Sequence, residues 1–198
     1  MSEAHSRLVQ LTVGGSREPW RSLGITFDEF GGCRIGQVSL RVDESRPAGF
    51  LGWAFDPAVT ALDGIESVNR EPASRVDSRF FVGVDHVVVM TDSLERTSGE
   101  IARDTGAELR RIRDAGGGVR QAFHRSGEVV LEVVQTPTTN GVALWGFVLV
   151  TPDLVGLADR LGPEVIGRPR EAKQPGRFIA TVRRTVGLGV DVALMTPQ

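Results

Sequence analysis

Gly83-Val84-Asp85-His86-Val87-Val88-Val89-Met90-Thr91-Asp92-Ser93-Leu94 joins an apolar run carrying one histidine to an acidic helix start. Side chains alternate along a strand, so His86, Val88 and Met90 share one face and Val87 and Val89 the other. Thr91 or Asp92 suits a helix cap, and Glu95 follows Asp92 at the spacing of a capping box. A second such stretch, Ala143 to Leu154, has the same punctuation without the histidine. Around the first stretch the pattern predicts a strand over 81–90, a helix over 93–105 stopped by Gly106, and strands over 107–113, 119–125 and 128–135. Around the second it predicts a strand over 143–150, a helix over 153–161 and strands over 164–168, 178–184 and 190–195. Leu154, Leu157, Ala158 and Leu161 form the apolar stripe of the second helix.

The two series share an offset of sixty positions. Thr91 and Thr151, Leu94 and Leu154, Gly127 and Gly187, and Thr136-Pro137 and Thr196-Pro197 all obey it. Matches at equivalent places in two series read as a tandem repeat of a β-α-β-β-β unit. Ahead of it, residues 8–13 read as a strand, 17–23 as a short helix, 33–42 as a strand and 50–55 as another. Residues 56–79, with prolines and scattered charge, read as a connecting segment.

Composition sets the bounds. A chain of 198 residues is long enough to bury a substantial core. A net charge of −2 gives no general pull toward nucleic acid or an anionic membrane. Cys33 is the only cysteine, which leaves no intramolecular disulfide and no cysteine-rich zinc site. Met1 to Gln10 lacks an apolar leader core, and no apolar run approaches the length of a membrane helix. The expectation is a cytoplasmic protein with no nucleic-acid or membrane partner. No glycine-rich stretch follows a strand and opens a helix in the pattern of a nucleotide loop.

Two tandem β-α-β-β-β units, with a histidine in the first strand and a glutamate in the last (Val130-Leu131-Glu132-Val133), resemble the vicinal oxygen chelate superfamily. That group includes glyoxalase I, extradiol dioxygenases, methylmalonyl-CoA epimerase and the fosfomycin and bleomycin resistance proteins, and the chain looks most like bacterial glyoxalase-like domain proteins. The resemblance covers residues 80–198, as unit one (80–137) and unit two (141–197). Residues 1–79 then form a degenerate β-α-β-β-β-like segment with its linker. The implied fold is α+β: a half-open mixed β-sheet barrel around a cavity, with helices outside. The implied function is binding of a small organic molecule in that cavity, with metal-assisted lyase, isomerase or dioxygenase chemistry. Non-catalytic binding or sequestering of the resistance type is the alternative.

Residue by residue, the resemblance makes His86 and Glu132 metal ligands and catalytic groups, for Fe, Mn, Ni or Zn. The second unit departs from the pattern, because the sixty-residue offset places Gly146 and Val192 at the matching positions, and Asp191 beside them is expected to face away. The ligand set is incomplete within one chain, so the missing donors would come from a homodimer partner or from residues 1–79. Bland readings stand beside these. His86 serves equally as a core histidine bonded to Glu132, or as its acid–base partner. Val88, Met90 and Trp145 read as cavity wall. Arg177 reads as a surface arginine or as a contact to an anionic ligand at the cavity mouth, and His124 as a solvated residue.

Overall fold

A computed structural model describes residues 5–198; the first four residues of the predicted N-terminal segment lie outside them. The stretch that opens the repeat forms β7 of the chain, and six short strands precede it. They are β1 (Arg7–Gly14), β2 (Gly32–Ile35), β3 (Val38–Asp43), β4 (Gly49–Asp56), β5 (Ala61–Leu62) and β6 (Ile65–Glu66), with helix α1 (Glu18–Ser22) after β1. Unit one runs β7 (Gly83–Thr91), α2 (Leu94–Thr105), β8 (Leu109–Gly116), β9 (Val119–Ser126) and β10 (Val129–Gln135). Unit two runs β11 (Val142–Val150), α3 (Leu154–Leu161), β12 (Arg170–Glu171), β13 (Phe178–Thr181) and β14 (Asp191–Met195).

The repeat is real in space. One mixed sheet has the order β12-β13-β14-β11-β7-β10-β9-β8, so each unit lays its strands down in the same order on either side of a β7–β11 seam. In each, the first and last strands are parallel. Leu94 and Leu154 are the first residues of their helices, and both are buried. The α2 cap falls at Ser93 rather than at Thr91 or Asp92: its side chain accepts from the Arg96 amide, while Thr91 Oγ1 accepts from the Ser93 amide. Gly106 ends α2 at a φ of 70°, a left-handed conformation that glycine reaches without strain.

Unit two is the thinner copy. The predicted strand over 164–168 is turn and loop with one isolated bridge at Ile166, and only the two residues of β12 complete the order. The predicted strand over 33–42 is a hairpin, since Gly36 turns the chain at a φ of 62° and β2 folds back antiparallel on β3.

Residues 5–56 build a second, four-stranded sheet of order β2-β3-β1-β4. It packs behind the eight-stranded sheet, where Phe147 of β11 stacks on Trp20 (ring centroids 6.0 Å apart) and meets Phe50 edge-on at 5.7 Å. One apolar core runs without a break from Leu8 to Leu194. Burying Trp20, Phe147 and Trp53 together supplies much of its driving force, since each large aromatic removes about 150–250 Å² from water. Among the described residues, no helix is long and apolar enough to cross a membrane.

Candidate functional site

Two paired irregularities in the β7–β11 seam shape the site. Val148 pairs with His86 and Leu149 with Val84, so Asp85 is an extra residue in β7. Likewise Leu144 pairs with Val89 and Gly146 with Val88, so Trp145 is an extra residue in β11. A bulge breaks strict alternation and re-aims the extra side chain. Asp85 and His86, though adjacent in sequence, thus meet on the same side: His86 Nδ1 lies 2.8 Å from Asp85 Oδ2.

The cavity face otherwise follows the alternation expected from sequence. Val87 and Val89 are fully buried in the core, and His86, Val88 and Met90 face the other way. On β10, Leu131 and Val133 go to the core, and Glu132 lies beside Val88 on the cavity side. His86 Nε2 and Glu132 Oε2 are 3.5 Å apart. The imidazole therefore has a carboxylate at each nitrogen. Further out, Gln121 donates to Glu132 Oε1 at 2.6 Å, and the Arg113 guanidinium donates to Gln121 Oε1. On the far side, Arg177 donates to Asp85 Oδ1 at 2.6 Å.

Arg177 is neither of the residues the sequence suggested. Its side chain is 4% exposed and its guanidinium is fully engaged by Asp85, the Thr196 carbonyl and Gln174. It acts as the buried counter-charge of Asp85. Burial pushes the Asp85 carboxyl up, but the hydrogen bonds from His86 and Arg177 outweigh it and hold Asp85 below the usual carboxylate range. Burial pushes the Glu132 carboxyl up, and its electrostatic interactions with His86 and Arg113 offset that only in part. The two carboxyls beside one imidazole are thus driven apart in acidity, the pattern that separates acid from base roles. His124 corrects another expectation. It is fully buried, with Nδ1 3.0 Å from the Ala107 carbonyl, and burial holds it below the ordinary histidine value.

Trp145, Val88 and Met90 line a compartment of about 470 Å³ that also touches His86 and Glu132. A second compartment of about 580 Å³ touches the same two residues from the other side. The two compartments share His86, Glu132 and Ile179, so these residues stand between an end under Trp145 and an end beside β8, and this pair of compartments is the cleft.

Neither a family model nor a curated protein matches the sequence. Solved structures do match the fold. A methylmalonyl-CoA epimerase from Mycobacterium tuberculosis has a TM-score of 0.51 at 15% identity, over 60% of this chain and 90% of that one. A hypothetical protein from Bacillus halodurans has a TM-score of 0.49 at 15% identity, over 58% of this chain and 94% of that one. A Streptomyces coelicolor methylmalonyl-CoA epimerase variant in complex with 2-nitronate-propionyl-CoA has a TM-score of 0.47 at 21% identity, over 57% and 95%. The chain has a vicinal oxygen chelate fold.

That fold family implies a divalent metal, and the donors present do not fit one. The Val87–Phe147 pair marks the centre of the seam, so His86 corresponds to Gly146 and Val88 to Val148. Glu132 lies beside Val88 as Ala193 lies beside Val148, so the counterpart of Glu132 is Ala193, one residue past the Val192 expected from sequence. Neither Gly146 nor Ala193 offers a donor. Nor is there room to restore one, because a Cβ at Gly146 would lie 2.1 Å from the Asp191 carbonyl oxygen. Asp191 itself lines the cleft rather than facing away, but Arg184 holds both its oxygens at 2.8 and 2.9 Å. Asp85 and Glu132 sit at opposite ring nitrogens and cannot converge on one ion. Among the described residues, no three histidine, cysteine, aspartate or glutamate side chains gather for a metal.

Proposed function

We propose that the protein binds a small organic molecule in the cleft over His86 and Glu132 and moves a proton on it, as a metal-independent isomerase or lyase within the glyoxalase-like fold. The observation that carries this reading is the imidazole clamped between two carboxyls, one at each ring nitrogen. Asp85, kept ionised by Arg177, accepts the Nδ1–H and leaves Nε2 as the acceptor facing the cleft. Glu132, whose carboxyl burial pushes up, stands 3.5 Å away, placed to return a proton. Asp85 orients and polarises; His86 removes the proton; Glu132 and Gln121 hold the second proton in place.

A second reading, binding or sequestering without chemistry, is favoured by the apolar compartment under Trp145, whose ring is half exposed and placed to cover a flat ligand. One experiment separates the two. The protein is screened by thermal shift against small carbonyl acids bearing a C–H next to the carbonyl, and ligands that raise the melting temperature are incubated with it in D₂O. Proton transfer is expected to appear as deuterium at that carbon by NMR, unaffected by EDTA and lost in His86→Ala. Binding with no exchange leaves the sequestering role. Exchange abolished by EDTA and restored by a divalent metal defeats the metal-independent mechanism.

A further inference from the structure

The two ends of the cleft differ in charge. The Trp145 end is apolar, whereas the other end gathers Arg110, Arg111 and Arg113 from β8 with Arg170 of β12 and Lys173, the only lysine in the chain. Alternation alone would split the β8 arginines between faces. The register steps from Leu109–His124 to Arg111–Phe123, so Arg110 is an extra residue, and all three reach the cleft. Arg111 and Arg113 lie over the Phe123 ring, at 5.0 and 5.7 Å from its centre. That packing holds two planar guanidinium groups beside each other at low entropic cost. Arg110 is paired with Glu108 at 3.1 Å. Among the described residues, no carboxylate comes within 4.0 Å of Arg111, Arg113, Arg170 or Lys173. The acidic groups lining this end are Asp85, already neutralised by Arg177, and Glu132. Four cations from opposite units of the repeat therefore face one space in which none of them is ion-paired by a carboxylate of the protein.

We infer that the ligand carries an oxyanion, a phosphate or a carboxylate, that docks on Arg111, Arg113, Arg170 and Lys173, with an apolar body that reaches past His86 to Trp145. This rests on the reading of the cleft as a small-molecule site. Guanidinium forks bind both oxyanions bidentately, and contributions from β8 and β12 make the ligand a bridge between the two units.

The test uses the full chain and four probes, namely phenyl phosphate, benzoate, inorganic phosphate and benzyl alcohol, measured by calorimetry and thermal shift. An aromatic anion is expected to bind at least about tenfold more tightly than benzyl alcohol, a margin within reach of one or two charge-assisted contacts. Its binding weakens at high salt. Phenyl phosphate against benzoate tells phosphate from carboxylate, and inorganic phosphate tells an oxyanion site from one that needs the apolar body. The double variant Arg111→Gln/Arg170→Gln should bring the anion to the level of benzyl alcohol, whose own binding stays as it was; Lys173→Gln gives a smaller loss and serves if the double variant does not fold. Benzyl alcohol binding as tightly as the anions, or anion binding indifferent to these substitutions, overturns the inference and leaves the cleft reading standing. No binding by any probe defeats the cleft reading itself, and the inference with it.

Discussion

The two sheets of this protein are built on the same seam and do different things with it. In the eight-stranded sheet β7 lies antiparallel to β11, with extra residues at Asp85 and Trp145 around the central Val87–Phe147 pair. In the four-stranded sheet β1 lies antiparallel to β4, with extra residues at Val9 and Leu51 around the central Leu11–Trp53 pair. The registers superpose residue for residue. Gln10 stands where His86 does, and Gly52 where Gly146 does. Arg41, beside Thr12 on the parallel strand β3, stands where Glu132 lies beside Val88. A cleft of about 670 Å³ lies over Gln10, Thr12, Arg41 and Leu51, the counterparts of the residues under the C-terminal cleft. There the chain fills the position itself. Buried Gln10 donates to Thr12 and to the Asn69 carbonyl and accepts from the Glu71 amide, so the linker is strapped across the place where His86 looks into its cleft. The scaffold makes a cleft wherever the seam recurs; the side chains at three positions, and what the chain lays over them, decide whether it is left open.

The comparison can be broken most severely at the contact between its two halves. Phe147→Ala removes the ring shared by Trp20 and Phe50 and should cost about 4 kcal/mol in urea unfolding; a loss under about 1 kcal/mol would show that the sheets are held elsewhere. Next, Arg177→Met leaves the half-buried Asp85 without its counter-charge and should cost about 3 kcal/mol. Arg41→Met, whose guanidinium donates only to the Phe30 carbonyl, should cost under about 1 kcal/mol. Equal losses would erase the distinction between a buried relay and a surface contact.

The paired glycines sharpen it further. Gly146→Ala drives a methyl into the Asp191 backbone, which cannot yield, and should destabilise by about 2 kcal/mol. Gly52→Ala meets the Val68 side chain at 2.7 Å, which can turn aside, but its φ of 156° is one that an L side chain rarely adopts, so here the cost of about 2 kcal/mol comes from the backbone rather than from the collision. The smallest effect is titration. Burial lowers the His124 pKa in the fold, so as pH falls the unfolded chain takes up the proton first; stability falls as pH drops below about 6.5, by at most about 1.4 kcal/mol per pH unit. Glu132 works with the opposite sign: with its carboxyl raised, stability falls as pH rises from the ordinary carboxylate value through the folded one. Unfolding curves across this range for His124→Gln and Glu132→Gln should lose the respective slopes, whereas Gln10 in the other half contributes none.

Much of this is legible in the sequence. The sixty-residue offset rests on threonines and leucines at strand ends and helix starts, where local hydrogen bonding and burial dictate residue type, and the fold follows from it. The sharing of a face by His86, Val88 and Met90 follows from strand geometry, and Glu132 needed a partner because it is charged in an apolar run. What stayed hidden depended on register. No residue type announces a bulge at Asp85, so the second carboxylate of the imidazole was missed, and with it the partner that buries Arg177. The same holds for Arg110 and for Ala193, which took the place expected of Val192. His124 reads as solvated from sequence, but it shares its face of β9 with Ala122 and Ser126, and all three are buried.

Chain pattern alone, then, determined a duplicated β-α-β-β-β unit and the lone histidine–glutamate pair in its first copy, because periodicity and the cost of a buried charge are local properties. Tertiary structure alone decided that the pair is joined to Asp85 and Arg177 by hydrogen bonds and that no second such pair faces it. The seam between β7 and β11 sets which residue is skipped, and the approach of β14 to Gly146 leaves no room for a side chain. Both are consequences of how strands from distant parts of the chain are pressed together.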